Sequence, residues 1–406
     1  MAIGDKIQNK FTSYTDSYTG VTVTRLTDPN HTSHHMYFYN KMTTNDGKYL
    51  LYCPELNGER QLYLMNLQDG EAVQLTEGEG IDDYGGMISS DDKFLFYQQG
   101  NSFFKMDLNT YERECFYTTP EGWKGSSPGM SDDNHYMTIV ETKIDTIAAT
   151  VGGKNWDFFA QNCLAKPLCR IVYIDVINKQ SHVVLQDRCW FGHTQIRPQD
   201  PDTILFCHEG PYDLIDARLW LVQSDGSNYR CCREQANDLI LTHEFWLPDG
   251  SKLAFVYRET TGDKIENIRM IDPITLEEEI LMPCSPFAHF ICDKKNVYMV
   301  GDAQGSDVPI HLLDDESEPD HSGEVKNDFI YLIDVAKRKE MRLCYHGTSW
   351  RAKHGNPQDA HPHPFFTENN KSIIFVSDRE GKPCIYKVDL EGVELSDEKQ
   401  AKEVQI

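Results

Sequence analysis

Asn45-Asp46-Gly47-Lys48-Tyr49-Leu50-Leu51-Tyr52 is a polar turn that runs into an apolar strand, and Leu62-Tyr63-Leu64-Met65-Asn66-Leu67 is a second strand closing on an amide side chain. This pair recurs along the chain. First strands follow at Phe94–Tyr97, Tyr136–Val140, Ile204–Cys207, Leu253–Tyr257, Val297–Val300 and Ile373–Val376, each with a partner strand about ten or more residues on. Anchored on Tyr63, Phe104, Val172, Trp220, Arg269, Tyr331 and Tyr386, the copies lie 41, 68, 48, 49, 62 and 55 residues apart. A period of roughly 40 to 50 residues built from short strands and Asp/Gly turns reads as one four-stranded β-propeller blade. The fold expected is therefore all-β, a seven-bladed propeller of antiparallel blades, rather than a two-sheet sandwich, which seldom repeats so evenly.

Working outward, residues 1–406 are expected to form one domain. The two long spacings place insertions near 141–166 and 302–327, both between a blade's second and third strands. The alternating, β-branched segment at 21–26 is expected to supply the outermost strand of the last blade and so close the ring. Because the strands of a blade are antiparallel, both insertions belong to the disc face on which the innermost strands begin.

Composition narrows the function. The chain carries 39 Lys and Arg against 64 Asp and Glu, a formal charge of −25. That field repels nucleic acid and anionic membranes, so neither is expected as a partner. It also repels an anionic small substrate unless the pocket is locally positive. No run of about 18 apolar residues occurs and Met1–Lys6 has no apolar leader, so a cytoplasmic location is expected. Twelve cysteines without a CxxC support neither a zinc ribbon nor a disulfide scaffold.

The innermost strand precedes each polar turn, and in the last four copies it is expected to open with histidine: His193, His243, His289 and the pair His361-Pro362-His363. Innermost strands line the channel, so these positions converge. His361 and His363, two apart on a strand, are expected to share a face. With His289 from the neighbouring blade they can meet around one ion, and Gln358 stands just upstream with a carbonyl oxygen to offer. Imidazole with an amide oxygen suits Mn²⁺ better than structural zinc, although another divalent ion is not excluded by affinity order. The bland reading of an HxH pair is mutual hydrogen bonding, and it is the shared register with His289 that favours a metal. Arg218 and His208 are expected at the same mouth, where the bland reading of the arginine is a surface ion pair.

Gly125-Ser126-Ser127-Pro128-Gly129 fits the GxSxG pattern of serine hydrolases. That chemistry needs the N–H of the residue after the nucleophile, and Pro128 has none, so the motif is set aside.

Taken together, His208-Glu209-Gly210-Pro211 with Arg218-Leu219-Trp220, Leu241-Thr242-His243-Glu244-Phe245-Trp246, Gln358-Asp359-Ala360-His361-Pro362-His363 and His34-His35-Met36-Tyr37-Phe38-Tyr39-Asn40 resemble the oligogalacturonate lyases. The resemblance runs through essentially the whole chain. It implies a seven-bladed propeller and a Mn²⁺ ion held by His289, His361, His363 and Gln358. It also implies His243 as the base that starts a β-elimination, with Arg218 assisting. The substrate implied is a short oligogalacturonide, digalacturonate among them. His193, His208 and His34 are expected to bind substrate, since all three are read as lying near the same mouth. Two rival classes remain: a non-catalytic interaction propeller, which has no use for a metal, and a metal-dependent hydrolase or lactonase, which would use carboxylate ligands. The oligomeric state is left open.

Overall fold

The polar turn repeats because short side chains there replace backbone hydrogen-bonding partners. In four copies a Ser or Thr hydroxyl bonds an Asx side chain two residues on: Thr44 to Asp46 and Ser89 to Asp91 at 2.7 Å, Ser131 to Asp133 at 2.6 Å, and Thr367 to Asn369 at 2.9 Å. The same Asx oxygen accepts from the N–H of Lys48, Lys93, His135 or Lys371. The residue between is left-handed, with φ of +70° at Gly47, +62° at Asp92, +59° at Asn134 and +57° at Asn370. Gly, Asn and Asp tolerate that conformation best, and this is why the turns stand out in the sequence.

The computed structural model describes residues 2–148, 155–304, 327–351 and 356–393. Its strands form seven antiparallel sheets; those of blades 2 to 6 run in chain order from the channel outward, while N-terminal strands form the outer edges of blades 1 and 7. Blade 1 comprises Ser33–His35, Tyr49–Leu56, Tyr63–Asn66 and Glu71–Gln74. Blade 2 comprises Met87–Ile88, Phe94–Gln99, Ser102–Asp107 and Arg113–Thr118. Blade 3 comprises Trp123–Met130, Tyr136–Lys143, Leu168–Asp175 and Gln180–Arg188. Blade 4 comprises Phe191–Arg197, Asp200–His208, Leu219–Gln223 and Arg230–Cys231. Blade 5 comprises Leu239–Trp246, Leu253–Glu259, Glu266–Ile271 and Glu278–Pro283. Blade 6 comprises Phe287–Cys292, Tyr298–Ala303, Phe329–Asp334 and Lys339–Tyr345.

Blade 7 is assembled from both ends of the chain. Phe365–Phe366, Ser372–Ser377 and Cys384–Asp389 are followed outward by Thr22–Arg25, with Val23 opposite Val388, and then by Thr12–Thr15. Lys6–Gln8 meanwhile pairs with Glu71–Gln74 on the outside of blade 1. One N-terminal segment thus grips both the first and the last blade. The two strands before residue 21 carry no strong pattern in the sequence; exposed edge pairing leaves only every second side chain to bury.

The core lies between blades. Leu50, Met65 and Leu75 of blade 1 pack with Ile88 and Leu95 of blade 2 and with Phe365 and Ile374 of blade 7. Comparable clusters join blades 2 to 3, 3 to 4, 4 to 5, 5 to 6 and 6 to 7. At about 1.5–3 kcal/mol for each fully buried large apolar side chain, these face-to-face contacts carry the stability.

Segment 141–166 is not wholly loop. It holds the end of strand Tyr136–Lys143, a 3-10 turn at Ile144–Thr146 and a helix at Asn155–Ala165, and it does join blade 3's second and third strands. Of segment 302–327, Asp302 and Ala303 end a strand, and residues 305–326 lie outside the described residues. Among the described residues no helix is long and apolar enough to cross a membrane.

Val23 is fully buried against Ile373, Tyr386 and Val388. Val23→Ala should lower stability in urea unfolding by about 2 kcal/mol through lost burial and a residual cavity. Thr24→Ala, whose hydroxyl meets Ser13 on the exposed edge, should change it by no more than about 0.5 kcal/mol.

Candidate active site and metal centre

The innermost strands do not present their histidines by simple alternation. Each of blades 3 to 6 has a register shift there, at Ser126/Gly129, Gly192/Gln195, Thr242/Phe245 and Phe287/His289. Such bulges re-aim a side chain. At His193 and His243 the backbone is left-handed, with φ of +49° and +56°. His193 and His289 are the third residues of their strands and His243 the fifth, so none opens its strand. His361 and His363 are not on a strand at all. His361 caps the 3-10 turn Pro357–Ala360 in an extended conformation, and His363 follows with φ of +44°. They come together through that left-handed residue, not through a strand's two-residue period. Left-handed backbone costs roughly 1–2 kcal/mol for a residue with a Cβ, and it is held here by the surrounding blades.

The donor atoms of His289, His361 and His363 all lie within 4.8 Å of one another. The His289 ring centre is 4.1 Å from that of His363 and 5.5 Å from that of His361. Trp350 walls the group, 5.3 Å from His361. Asp302, fully buried, accepts from His289 Nδ1 at 2.9 Å and from the His363 backbone N–H at 3.2 Å. A carboxylate on Nδ1 fixes the tautomer and leaves the His289 Nε2 lone pair free. His361 Nδ1, His363 Nε2 and Gln358 Oε1 are buried without a hydrogen-bond partner. An unmet buried polar atom costs about 1–3 kcal/mol, so several on adjoining residues fit a cation better than mutual bonding. Burial pushes His361 down to about 3 and His363 well below the ordinary histidine value, so both offer lone pairs rather than charge. Three imidazoles and an amide oxygen fit a borderline divalent ion.

Blade 1 braces the turn that carries Gln358. Arg60 from strand Glu59–Arg60 grips Asp359 through Nη1 at 3.1 Å and Nη2 at 2.6 Å, and the Tyr84 hydroxyl donates to the same carboxylate at 2.8 Å. His34 stacks on Tyr84 at 4.3 Å with Nε2 3.4 Å from Asp83. It is 1% exposed, placed behind the turn and away from the mouth where sequence put it.

His243 lies with its ring centre 4.5 Å from that of His289. Burial, then the electrostatic influence of the neighbouring His289 and Arg218, pushes its pKa well below 6.5. Arg218 is buried, not a surface ion pair. Its Nε and Nη2 reach Glu244 at 2.8 and 3.3 Å, and Nη2 stands 3.6 Å from Glu209. Nη1 has no partner among the described residues. Glu209 also meets His193 Nε2 at 2.9 Å, while the Tyr39 hydroxyl meets His193 Nδ1 at 2.9 Å. Burial opposes the charge on Glu209, but Arg218 and His193 hold its carboxyl well below the usual range.

His208 turns away from this group. On strand Asp200–His208 its side chain opposes that of Cys207, whose thiol meets Glu209, and it stacks on Trp220 at 4.5 Å with Nδ1 2.8 Å from Asp216. Strand alternation therefore gives Glu209, not His208, to the site.

Tyr37, Phe38 and Tyr39 cross the channel from blade 1. Phe38 is 5.5 Å from His289 and 5.7 Å from His363, while Tyr37 is 5.3 Å from His363 and 5.4 Å from His193. A cavity of about 500 Å³ lies on the far side, lined by Phe38, Tyr39 and the carboxyl ends of the inner strands, and none of the five site histidines borders it. Sequence reasoning missed Tyr37, Phe38, Arg60, Glu244, Asp302 and Trp350 as site residues. Asp302 was within reach, since antiparallel pairing sets it directly opposite His289.

A family model described as oligogalacturonate lyase matches residues 1–393. The chain is 38% identical over 389 residues to the oligogalacturonide lyase of Pectobacterium atrosepticum, covering 95% of this chain and 97% of that protein. It is 37% identical over 389 residues to the oligogalacturonate lyase of Dickeya dadantii, with the same coverage. Among solved structures, an oligogalacturonate lyase in complex with manganese superposes with a TM-score of 0.86 at 36% identity, over 96% of this chain and 98% of that one. An oligogalacturonate lyase from Vibrio parahaemolyticus does so with a TM-score of 0.86 at 38% identity, over 96% and 99%.

Wild type loaded with a divalent ion and desalted should retain about one ion per chain by elemental analysis, and His361→Ala should retain little. Arg60→Ala, which touches no imidazole of the cluster, should weaken ion affinity by about 10- to 100-fold in titration calorimetry, since Asp359 then loses its bidentate partner.

Proposed function

This chain belongs to the oligogalacturonate lyase family, and from that premise we propose that it cleaves short galacturonides, digalacturonate among them, by β-elimination. In this reading Mn²⁺ is held by His289, His361, His363 and Gln358, His243 is the base and Arg218 assists. The observation that carries it is the meeting of three imidazole donor atoms within 4.8 Å, with His243 adjacent at 4.5 Å.

The reaction removes the C5 proton of a uronate, α to a carboxylate whose negative charge makes that proton poorly acidic. A divalent ion at the imidazole cluster supplies the positive charge that neutralises the carboxylate and the electron density developing on it. His243 is neutral at pH 7 because burial opposes its protonation, so its ring nitrogen is free to accept the C5 proton. Arg218 is held rigidly by Glu244 and Glu209, which leaves Nη1 to meet a substrate carboxylate. His193, locked between Tyr39 and Glu209, helps shape the sugar subsite.

The rival readings find less support. A bare interaction platform gives no reason for buried, unmet donor atoms to gather. A hydrolase would want carboxylate ligands, yet Glu209 and Glu244 are engaged with His193 and Arg218, and Asp302 with His289 Nδ1. All twelve cysteines are free, which suits work in the reducing cytoplasm.

Incubation with digalacturonate and Mn²⁺ should yield an unsaturated uronate with no solvent ¹⁸O; label in the product would instead indicate hydrolysis. His243→Ala should lower kcat by about 10²- to 10⁴-fold at unchanged ion content. His243 acts when deprotonated, and its pKa in the folded protein lies below 6.5, so the acid limb of kcat/KM should fall below that pH. A limb centred above pH 7 would assign the base elsewhere.

A further inference from the structure

Elimination from a galacturonide needs two proton-handling groups, because the axial C5 hydrogen and the axial C4 oxygen lie on opposite faces of the sugar ring. A base that takes the hydrogen from one face cannot return it to the oxygen departing from the other. The departing oxygen is an alkoxide and a poor leaving group, so a donor must meet it there.

The donors in reach can be sorted by their present bonds. Both nitrogens of His193 are engaged, by Glu209 and by Tyr39. Tyr39 spends its hydroxyl on His193 Nδ1. Arg218 does not give up a proton in a protein. His208 and His34 are packed elsewhere, on Trp220 and Tyr84. Tyr37 differs from all of them. It is only partly buried, and its hydroxyl has no hydrogen-bond partner among the described residues. Its backbone is held by an N–H to Tyr84 O bond at 3.0 Å. Its ring is fixed between His363 of blade 7 and His193 of blade 4, at 5.3 and 5.4 Å. His243 approaches the imidazole cluster at His289, whereas Tyr37 approaches it at His363.

We propose that Tyr37 is a second catalytic residue, the proton donor to the departing C4 oxygen; this rests on the lyase reading and deepens it. The C5–H bond breaks with its proton going to His243 and its electron pair forming the C4=C5 bond. The C4–O bond breaks with its pair leaving on oxygen, which takes the phenolic proton of Tyr37. Product release then lets His243 lose its proton to solvent and the Tyr37 phenolate regain one. The products are an unsaturated uronate and a sugar shortened by one residue, with no water consumed.

The test compares two substrates on wild type, Tyr37→Phe and His243→Ala, all loaded with Mn²⁺. One is digalacturonate. The other is a methyl galacturonoside with axial fluoride in place of the C4 oxygen, since fluoride departs without a proton. Tyr37→Phe should lower kcat on digalacturonate by about 10²- to 10³-fold, yet release fluoride within about threefold of wild type and keep its bound ion. His243→Ala should lose both reactions. Equal loss on both substrates in Tyr37→Phe, or no loss on either, overturns the role of Tyr37 while leaving the lyase reading intact. A wild type that forms no unsaturated product from digalacturonate overturns the lyase reading and this proposal together.

Discussion

Closure of the ring is the constraint on which everything else rests. Thr22–Arg25 lies beside Cys384–Asp389, and the same N-terminal segment also pairs Lys6–Gln8 with blade 1. The seam between blades 7 and 1 passes through the site. On one side stand Gln358, His361 and His363, and on the other Arg60, Tyr84, Tyr37 and Phe38. Their separations of a few ångströms hold only while two ends of the chain, hundreds of residues apart, remain paired. Face-to-face apolar packing supplies the stability of each blade interface, but edge pairing decides that the last interface exists at all.

Within that frame the site is built against local preference. Three histidines sit at left-handed backbone, and buried nitrogen and oxygen atoms at His361, His363 and Gln358 lack partners. Either feature alone is unfavourable by a kilocalorie or more. Concentrated in one place they mark a binding centre, because the unmet lone pairs are what a cation satisfies. Asp302 shows the same logic one step back: its carboxylate orients His289 and ties down the backbone of His363, joining blades 6 and 7 through one side chain.

Electrostatics complete the picture. A chain of charge −25 that handles an anionic sugar needs local compensation. Arg218 alone does not supply it, since Glu209 and Glu244 already share its charge. Those carboxylates instead hold the guanidinium in one orientation. In the proposed reading, compensation falls to a divalent ion at the imidazole cluster, with Arg218 contributing directed hydrogen bonds. The aromatic plug from Tyr37 to Tyr39 separates this centre from the cavity of about 500 Å³ beyond it, which none of these histidines borders.

The repeat was legible because its turns are local: Thr44 and Asp46, or Ser131 and Asp133, bond across two residues, and that leaves a compositional mark at every blade. The shared register of His243, His289 and His363 was legible for the same reason, as a position within the repeat. How those rings meet was not, because bulges and left-handed residues change direction without changing the pattern of residue types. His34 and His208 show the limit plainly. Both lie in motif-rich stretches, yet strand alternation and stacking on Tyr84 and Trp220 turn them from the centre. The amino-acid order by itself determined the all-β class, the count of blades and the set of imidazoles able to share an ion. Only the tertiary structure decided that Arg60 braces Asp359, that Glu244 and Glu209 clamp Arg218 and that Tyr37 stands with a free hydroxyl. Each of these joins residues from different turns or blades, and closing the ring, not spacing along the chain, sets such distances.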